Sequence, residues 1–329
     1  MPIQRLWREE GQSVVVYSRI EDITGEHFML QEFDKARLAS AAPNEIGDAL
    51  ERGDIVKFTS CPIQLPTSEQ LEVLRTELPN QLKRKNVSYH PEADRVTGLD
   101  DQSPIADLVY EVLSTHRDRI TKCLQTLMPT LARNIRPGTC SFRPLEEKGR
   151  NLKPHASNEL VHIDAGAYGA TNGDRILRAF VNVNPTRDRV WASKGAFPDL
   201  FKQHGHAAGL YNDLTPTLER GVFGKFRTSL LNGMARIGLP LAPMLDSSPY
   251  DRVMRKFHNY MKDTPAFQQN TETDETFYFE PFATWIVLTD MVSHASLSGQ
   301  HALVYTALVP LQDCRLQDLA PFNILRAAA

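Results

Sequence analysis

Cysteine is scarce in this chain, and none of it is spaced for metal binding. Cys61, Cys123, Cys140 and Cys314 are the only four in 329 residues. They form no Cys-x-x-Cys pair, which excludes a zinc ribbon, and a chain this long needs no disulfide staple. They read as reduced, buried thiols, which favours a reducing compartment. A surplus of one charge is also missing: 37 Lys and Arg face 40 Asp and Glu, a net charge of −3. That balance lacks the basic footprint of a nucleic-acid binder, and no nucleic-acid partner is expected. No run approaches the roughly 20 apolar residues of a membrane-spanning helix. Residues 1–17 carry Arg5, Arg8, Glu9 and Glu10 and no apolar core, so a secretory signal is not expected there. The expected location is cytoplasmic, compatible with peripheral contact at the inner membrane.

What is present is ordinary globular material: 41% hydrophobic and 23% charged residues. In residues 1–65, Ser13–Ser18 and Asp54–Phe58 read as strands, with a short helix at Asn44–Arg52 behind Pro43. Ser68–Leu78, capped by Ser68, has helical periodicity through Leu71, Leu74 and Leu78. Asp101–Met128 is the longest helical stretch, with a break near Thr115. From Gly138 short β-like runs alternate with turns: Thr139–Arg143, Glu159–Ile163, Ile176–Asn184, Phe277–Phe279, Thr284–Thr289 and Ala302–Leu308. A more polar and helical insertion, about 186–270, contains Phe197–Gln203 and Leu218–Gly233. The expected fold is α+β: a jelly-roll or cupin-like β core flanked by helices. Residues 1–135 would buttress a catalytic region at 136–329, the two forming one compact unit.

The sharpest chemical feature is His162-Ile163-Asp164. On a strand, residues i and i+2 point the same way, so both side chains can converge on one ion. His294, just after an apolar strand, is the best third ligand. Two histidines and a carboxylate on one face form the facial triad of non-haem Fe(II) oxygenases. Such a triad leaves three positions open, for a bidentate 2-oxo acid and O₂. Other histidines fit less well. His204 and His206 follow a helical segment, and His155 and His301 suit supporting or solvated positions.

Three blocks carry a more specific signal. They are Ser141-Phe-Arg-Pro-Leu-Glu-Glu-Lys-Gly-Arg150; His162-Ile-Asp-Ala165 with Gly173-Asp-Arg-Ile-Leu-Arg-Ala-Phe-Val-Asn-Val-Asn-Pro185; and Thr289-Asp-Met-Val-Ser-His-Ala-Ser-Leu-Ser-Gly-Gln-His-Ala-Leu303. Across about 140–310 the chain resembles the Kdo hydroxylase family, Fe(II)/2-oxoglutarate-dependent dioxygenases acting on the 3-deoxy-manno-octulosonic acid sugar of lipopolysaccharide. The resemblance implies a double-stranded β-helix and the ligands His162, Asp164 and His294. It also implies Fe(II), 2-oxoglutarate and O₂ as cofactor and cosubstrates, and hydroxylation of a Kdo residue at its 3-position in a glycolipid precursor.

One departure concerns the cosubstrate anchor. Many members of the wider superfamily place an Arg about ten residues after the last His, and here none follows His294 before Arg315. A buried carboxylate still favours a guanidinium. Arg178 is the first candidate, because its face is shared with Phe180, Asn182 and Asn184; Arg175 is second and Arg143 third. Ser296 and Ser298 are further candidate donors to 2-oxoglutarate. Tyr168 and Asn182 are candidate substrate contacts. Arg187, Arg189, Lys194, Lys225 and Arg227 either meet sugar carboxylate or phosphate, or are solvated charges. Two other readings keep part of this picture: the same chemistry on a soluble amino-acid or natural-product intermediate, or a non-catalytic sugar-binding barrel.

Overall fold

The computed structural model describes residues 29–214 apart from 167 and 168, Leu218, and 248–329 apart from 273, together with the backbone of two N-terminal strands. Those strands, β1 (Arg5–Trp7) and β2 (Ser13–Val15), pair antiparallel. The first part of the chain continues as β3 (Leu30–Phe33), α1 (Lys35–Ser40), α2 (Glu45–Arg52), β4 (Ile55–Phe58), α3 (Ser68–Thr76), β5 (Val87–His90), β6 (Arg95–Thr97) and α4 (Ala106–Leu127). The second part contains β7 (Arg136–Arg143), β8 (Arg175–Asn182), β9 (Arg189–Ser193), α5 (Phe197–His204), α6 (Pro249–Asp263), α7 (Pro265–Gln269), β10 (Glu275–Phe279), β11 (Thr284–Leu288), β12 (Ala295–Ser298), β13 (Ala302–Val309) and α8 (Pro321–Ala327).

Two sheets form the core. The larger has eight strands in the order β3-β4-β11-β8-β13-β7-β5-β6, and the smaller has three, β10-β9-β12. All neighbours are antiparallel except β3 and β4. The sheets meet through aromatic rings. Phe180 and Trp285 of the large sheet stack at 5.0 Å, and Trp191 and Phe279 of the small sheet close over them at 4.8 Å and 3.9 Å. Against the opposite face of the large sheet, Val109, Val112 and Leu113 of α4 join Cys140, Phe142, Val181 and Leu303 in a second apolar cluster. This is the expected double-stranded β-helix with flanking helices, and residues 29–135 supply four strands of its main sheet.

Several local expectations are corrected. The cap of α3 is Thr67, whose hydroxyl and Gln70 form a reciprocal capping box, so Ser68 lies inside the helix. Helix α4 runs unbroken through Thr115 because its stripe stays in phase from Val109 to Leu124. The 186–270 region is not wholly an insertion, since β9 is the central strand of the small sheet. Glu159–Ile163 is not a strand: only His162 makes a bridge there, to His294. The side chain of Gln268 takes the place of a neighbouring strand, accepting from the Val161 N–H at 3.0 Å and donating to its carbonyl at 2.9 Å. Residues 16–18 and the helix expected at Leu218–Gly233, save Leu218 itself, lie outside the described residues.

One buried group in α4 sets a pH response. His116 is 2% exposed and its Nδ1 has no hydrogen-bond partner. Burial, with Arg119 adding, pushes its pKa down to about 4. The unfolded imidazole titrates near ~6.5. Stability from the neutral form is therefore complete above that pH and lost as pH falls from there to about 4, by on the order of 3 kcal/mol. Urea midpoints measured from pH 7 to 4.5 should fall less steeply for His116→Leu than for the native chain; parallel curves would refute this.

Candidate active site

The backbone of the His-x-Asp segment is held by long-range hydrogen bonds. His162 and His294 exchange N–H···O bonds at 3.1 and 2.8 Å, and the Asp164 N–H donates to the Thr289 carbonyl at 2.8 Å. The Ile163 carbonyl, between the two candidate ligands, is 2.7 Å from His258 Nδ1. His162, Asp164 and His294 are all buried, and one potential ligand atom from each lies within 4.8 Å of the others. The extended local backbone gives His162 and Asp164 one direction even without a full strand.

The donor set fits a divalent metal. His162 Nδ1 lies 2.7 Å from the Leu160 carbonyl and His294 Nδ1 lies 3.0 Å from the Val292 carbonyl. Each Nδ1 therefore carries the proton, and each Nε2 presents a lone pair. Burial lowers the pKa of both rings, which favours the neutral, ligating form. For Asp164 burial acts upward, but the neighbouring groups, the Arg178 guanidinium foremost, outweigh it and hold the carboxyl well below the usual range. The Arg178 Nε donates to Asp164 Oδ2 at 2.8 Å. Trp191 stacks on His294 at 5.2 Å, and His258 meets His162 edge-on at 5.0 Å.

A surplus of cations lines the same interior. Glu147 faces three guanidiniums: Arg189 at 3.1 Å, Arg150 at 3.2 Å and Arg143 at 3.5 Å. Arg143 sits over the Phe180 ring, and its Nε is buried without a hydrogen-bond partner among the described residues. Burial pushes its pKa down to about 10, against the opposing pull of Glu147. Such a group would gain from an anion placed beside it.

The remaining sequence candidates are distributed unevenly. Arg175 is fully buried with its Nε on Asp290 at 2.6 Å, so its charge is answered away from the His-Asp-His cluster. Ser296 accepts from Arg189 at 3.0 Å, and Ser298 follows the irregularity in β12. The Asn182 amide is fully used within the fold, donating to the carbonyls of Arg187 and Phe279 and accepting from the Asn184 N–H. Tyr168, Lys225 and Arg227 lie outside the described residues. Lys194 is buried on Asp274 at 2.5 Å, and Arg189 is buried on Glu147, so neither is a solvated charge. His155 pairs with Asp263 at the surface, and His301 stacks on Phe142.

Beside Asp164 a cleft of about 290 Å³ is lined by Asp164, Ala165, Gly166 and Gly169 on one side and by Arg255, His258 and Asn259 of α6 on the other. Neither α6 nor Trp191 was among the candidates. A signal for α6 existed in the Ser248-x-x-Asp251 cap preceding an amphipathic run.

A family model described as 3-deoxy-D-manno-oct-2-ulosonic acid (Kdo) hydroxylase matches residues 34–329. Among solved structures, the Kdo hydroxylase KdoO, described as a non-haem Fe(II) α-ketoglutarate-dependent dioxygenase, is similar in several forms. Its complex with α-ketoglutarate and Fe(III) is 27% identical, covering 91% of this chain and 95% of that one, with a TM-score of 0.70. Its cobalt(II) complex is also 27% identical with the same coverage and a TM-score of 0.71. Its complex with succinate and Fe(III) is 26% identical, again with that coverage, at a TM-score of 0.70. No curated protein sequence matches this chain.

Proposed function

The chain belongs to the Kdo hydroxylase family, and from that premise we propose that it hydroxylates a Kdo sugar at the centre formed by His162, Asp164 and His294. It is an Fe(II)- and 2-oxoglutarate-dependent dioxygenase. The observation that carries the site assignment is the buried convergence of two imidazoles and one carboxylate, with both Nδ1 atoms already committed to carbonyls.

In this reading His162 Nε2, His294 Nε2 and Asp164 hold Fe(II). When bound, iron, 2-oxoglutarate and O₂ supply the oxidising chemistry that no side chain provides. The side chains do the rest. Arg178 fixes the Asp164 carboxylate and keeps it ionised. Arg143 and the free end of Arg178 bind the distal carboxylate of 2-oxoglutarate, and the Glu147 cluster orients Arg143. The stacked rings of Phe180 and Trp285, with Trp191 edge-on to both, exclude water from beneath the centre. The substrate enters through the cleft beside Asp164, and its modified carbon is the 3-position, as the family resemblance implies. The family match gives no support to the soluble-metabolite or non-catalytic readings.

The test is succinate release by the iron-loaded protein with 2-oxoglutarate, with and without a Kdo-lipid acceptor. Acceptor-dependent succinate and an acceptor heavier by one oxygen are expected; release indifferent to every Kdo acceptor would refute the assignment. A finer expectation concerns His258, which braces the carbonyl between two ligands. Supporting partners of this kind typically contribute about 10–100-fold to metal affinity. His258→Ala should weaken Fe(II) or Co(II) binding about tenfold by titration, and unchanged affinity would remove His258 from that role.

A further inference from the structure

The cleft beside Asp164 has a chemically uneven wall. Its floor is Asp164, Ala165, Gly166 and Gly169, small residues apart from the carboxylate that Arg178 neutralises. The wall is one stripe of α6, where Arg255, His258 and Asn259 share a face at i, i+3 and i+4. The chemistry differs sharply along that stripe. His258 is committed through Nδ1 to the Ile163 carbonyl. Arg255 is exposed to the cleft and has no carboxylate partner among the described residues. Further along the same face, Lys262 is buried with only the carbonyls of Ser157 and His155 to accept from it. The wall is thus net positive, and at its open end the charge is unanswered.

The substrate class of the family is a sugar acid. Its carboxylate cannot sit beside Asp164 without a cation to offset the repulsion, and a guanidinium meets a carboxylate in two parallel hydrogen bonds. We propose that Arg255, assisted by the Asn259 amide, holds the carboxylate of the sugar acid against α6, turning the reacting carbon towards Asp164 and the two histidines. This rests on the functional reading above. Arg255 then determines specificity for an acidic over a neutral sugar and leaves the iron and cosubstrate sites unaffected.

Calorimetry with free Kdo and with its methyl ester separates the charge from the rest of the sugar. Arg255→Ala should lose about 10–150-fold in affinity for the acid, the range of one to two charge-assisted hydrogen bonds. It should bind the ester as the native protein does. Arg255→Lys should recover part of the loss, since an ammonium restores the charge without the fork. Co(II) and 2-oxoglutarate titrations, which report on the iron and cosubstrate sites without turnover, separate a local loss of the sugar's carboxylate from a general disturbance of the site. Unchanged affinity of Arg255→Ala for the acid, with hydroxylation intact in the native protein, overturns this inference alone. Failure of the native protein to hydroxylate any Kdo acceptor overturns both the inference and the reading beneath it.

Discussion

Replacing His294 by Ala is expected to abolish stoichiometric Fe(II) binding and reduce hydroxylation to background. The change removes one of three proposed ligands from a site that offers no fourth: among the described residues, His162, Asp164 and His294 are the group able to hold a metal together. It leaves the backbone bridge between 162 and 294 in place, because that bridge uses main-chain atoms. The fold should therefore survive, with a cavity beside Trp191 as the main cost. A readout independent of turnover follows from linkage. A ligand that binds only the folded state stabilises it by about 4 kcal/mol when present at roughly a thousand times its dissociation constant. Metal should raise the melting temperature of the native protein and leave that of His294→Ala unmoved. An equal metal-induced rise in both would remove His294 from the coordination sphere. Asp164→Ala is a less clean test, because it also strips Arg178 of its partner. Breaking a buried pair on one side costs on the order of 3–5 kcal/mol, and the partial exposure of Arg178 places this case at the lower end.

The sequence made the ligands easier to see than their surroundings, for physical reasons. Residues i and i+2 share a direction wherever the backbone is extended, so His162 and Asp164 converge although the segment is not a strand. What fixes that segment is long-range: the Gln268 amide on Val161, the Thr289 carbonyl on Asp164 and His258 on Ile163. No local pattern announces a side-chain amide standing in for a neighbouring strand. Apolar strands of the large sheet, such as Thr284–Leu288, were legible because burial on both faces writes a continuous run. Strand β9 was not, since Arg189-Val-Trp-Ala-Ser193 begins with a charge that only tertiary pairing with Glu147 makes tolerable inside the core. The same difficulty governs the arginines. The sequence placed Arg178 first, Arg175 second and Arg143 third, and the partners in space distinguish them on other grounds. Arg175 lies fully buried on Asp290, away from the cluster, with its terminal nitrogens unpaired; Arg178 is held by Asp164; and Arg143, beside the cluster, shares Glu147 with two other guanidiniums and leaves its buried Nε without an acceptor among the described residues.

That separation yields the second large effect, read as a contrast between two variants. Arg143→Ala should raise the 2-oxoglutarate concentration needed for half-maximal turnover by about 10–150-fold, the loss of one to two charge-assisted hydrogen bonds. Its Fe(II) affinity should hardly change, because Arg143 touches no candidate ligand. Arg178→Ala should raise the same cosubstrate requirement and also weaken metal binding. Its Nε fixes Asp164 Oδ2, and without it the carboxyl loses the largest influence opposing burial, which raises its pKa and makes a proton a stronger competitor with the metal. The metal affinity of Arg178→Ala should therefore fall more steeply with decreasing pH than that of the native protein, while Arg143→Ala follows the native profile. Titrating Co(II) and 2-oxoglutarate separately into each variant distinguishes the roles. A selective cosubstrate defect in Arg178→Ala, with metal binding and its pH profile intact, would mean that the contact with Asp164 does not serve the metal. No cosubstrate defect in Arg143→Ala would mean that the orphaned Nε is not where the distal carboxylate binds.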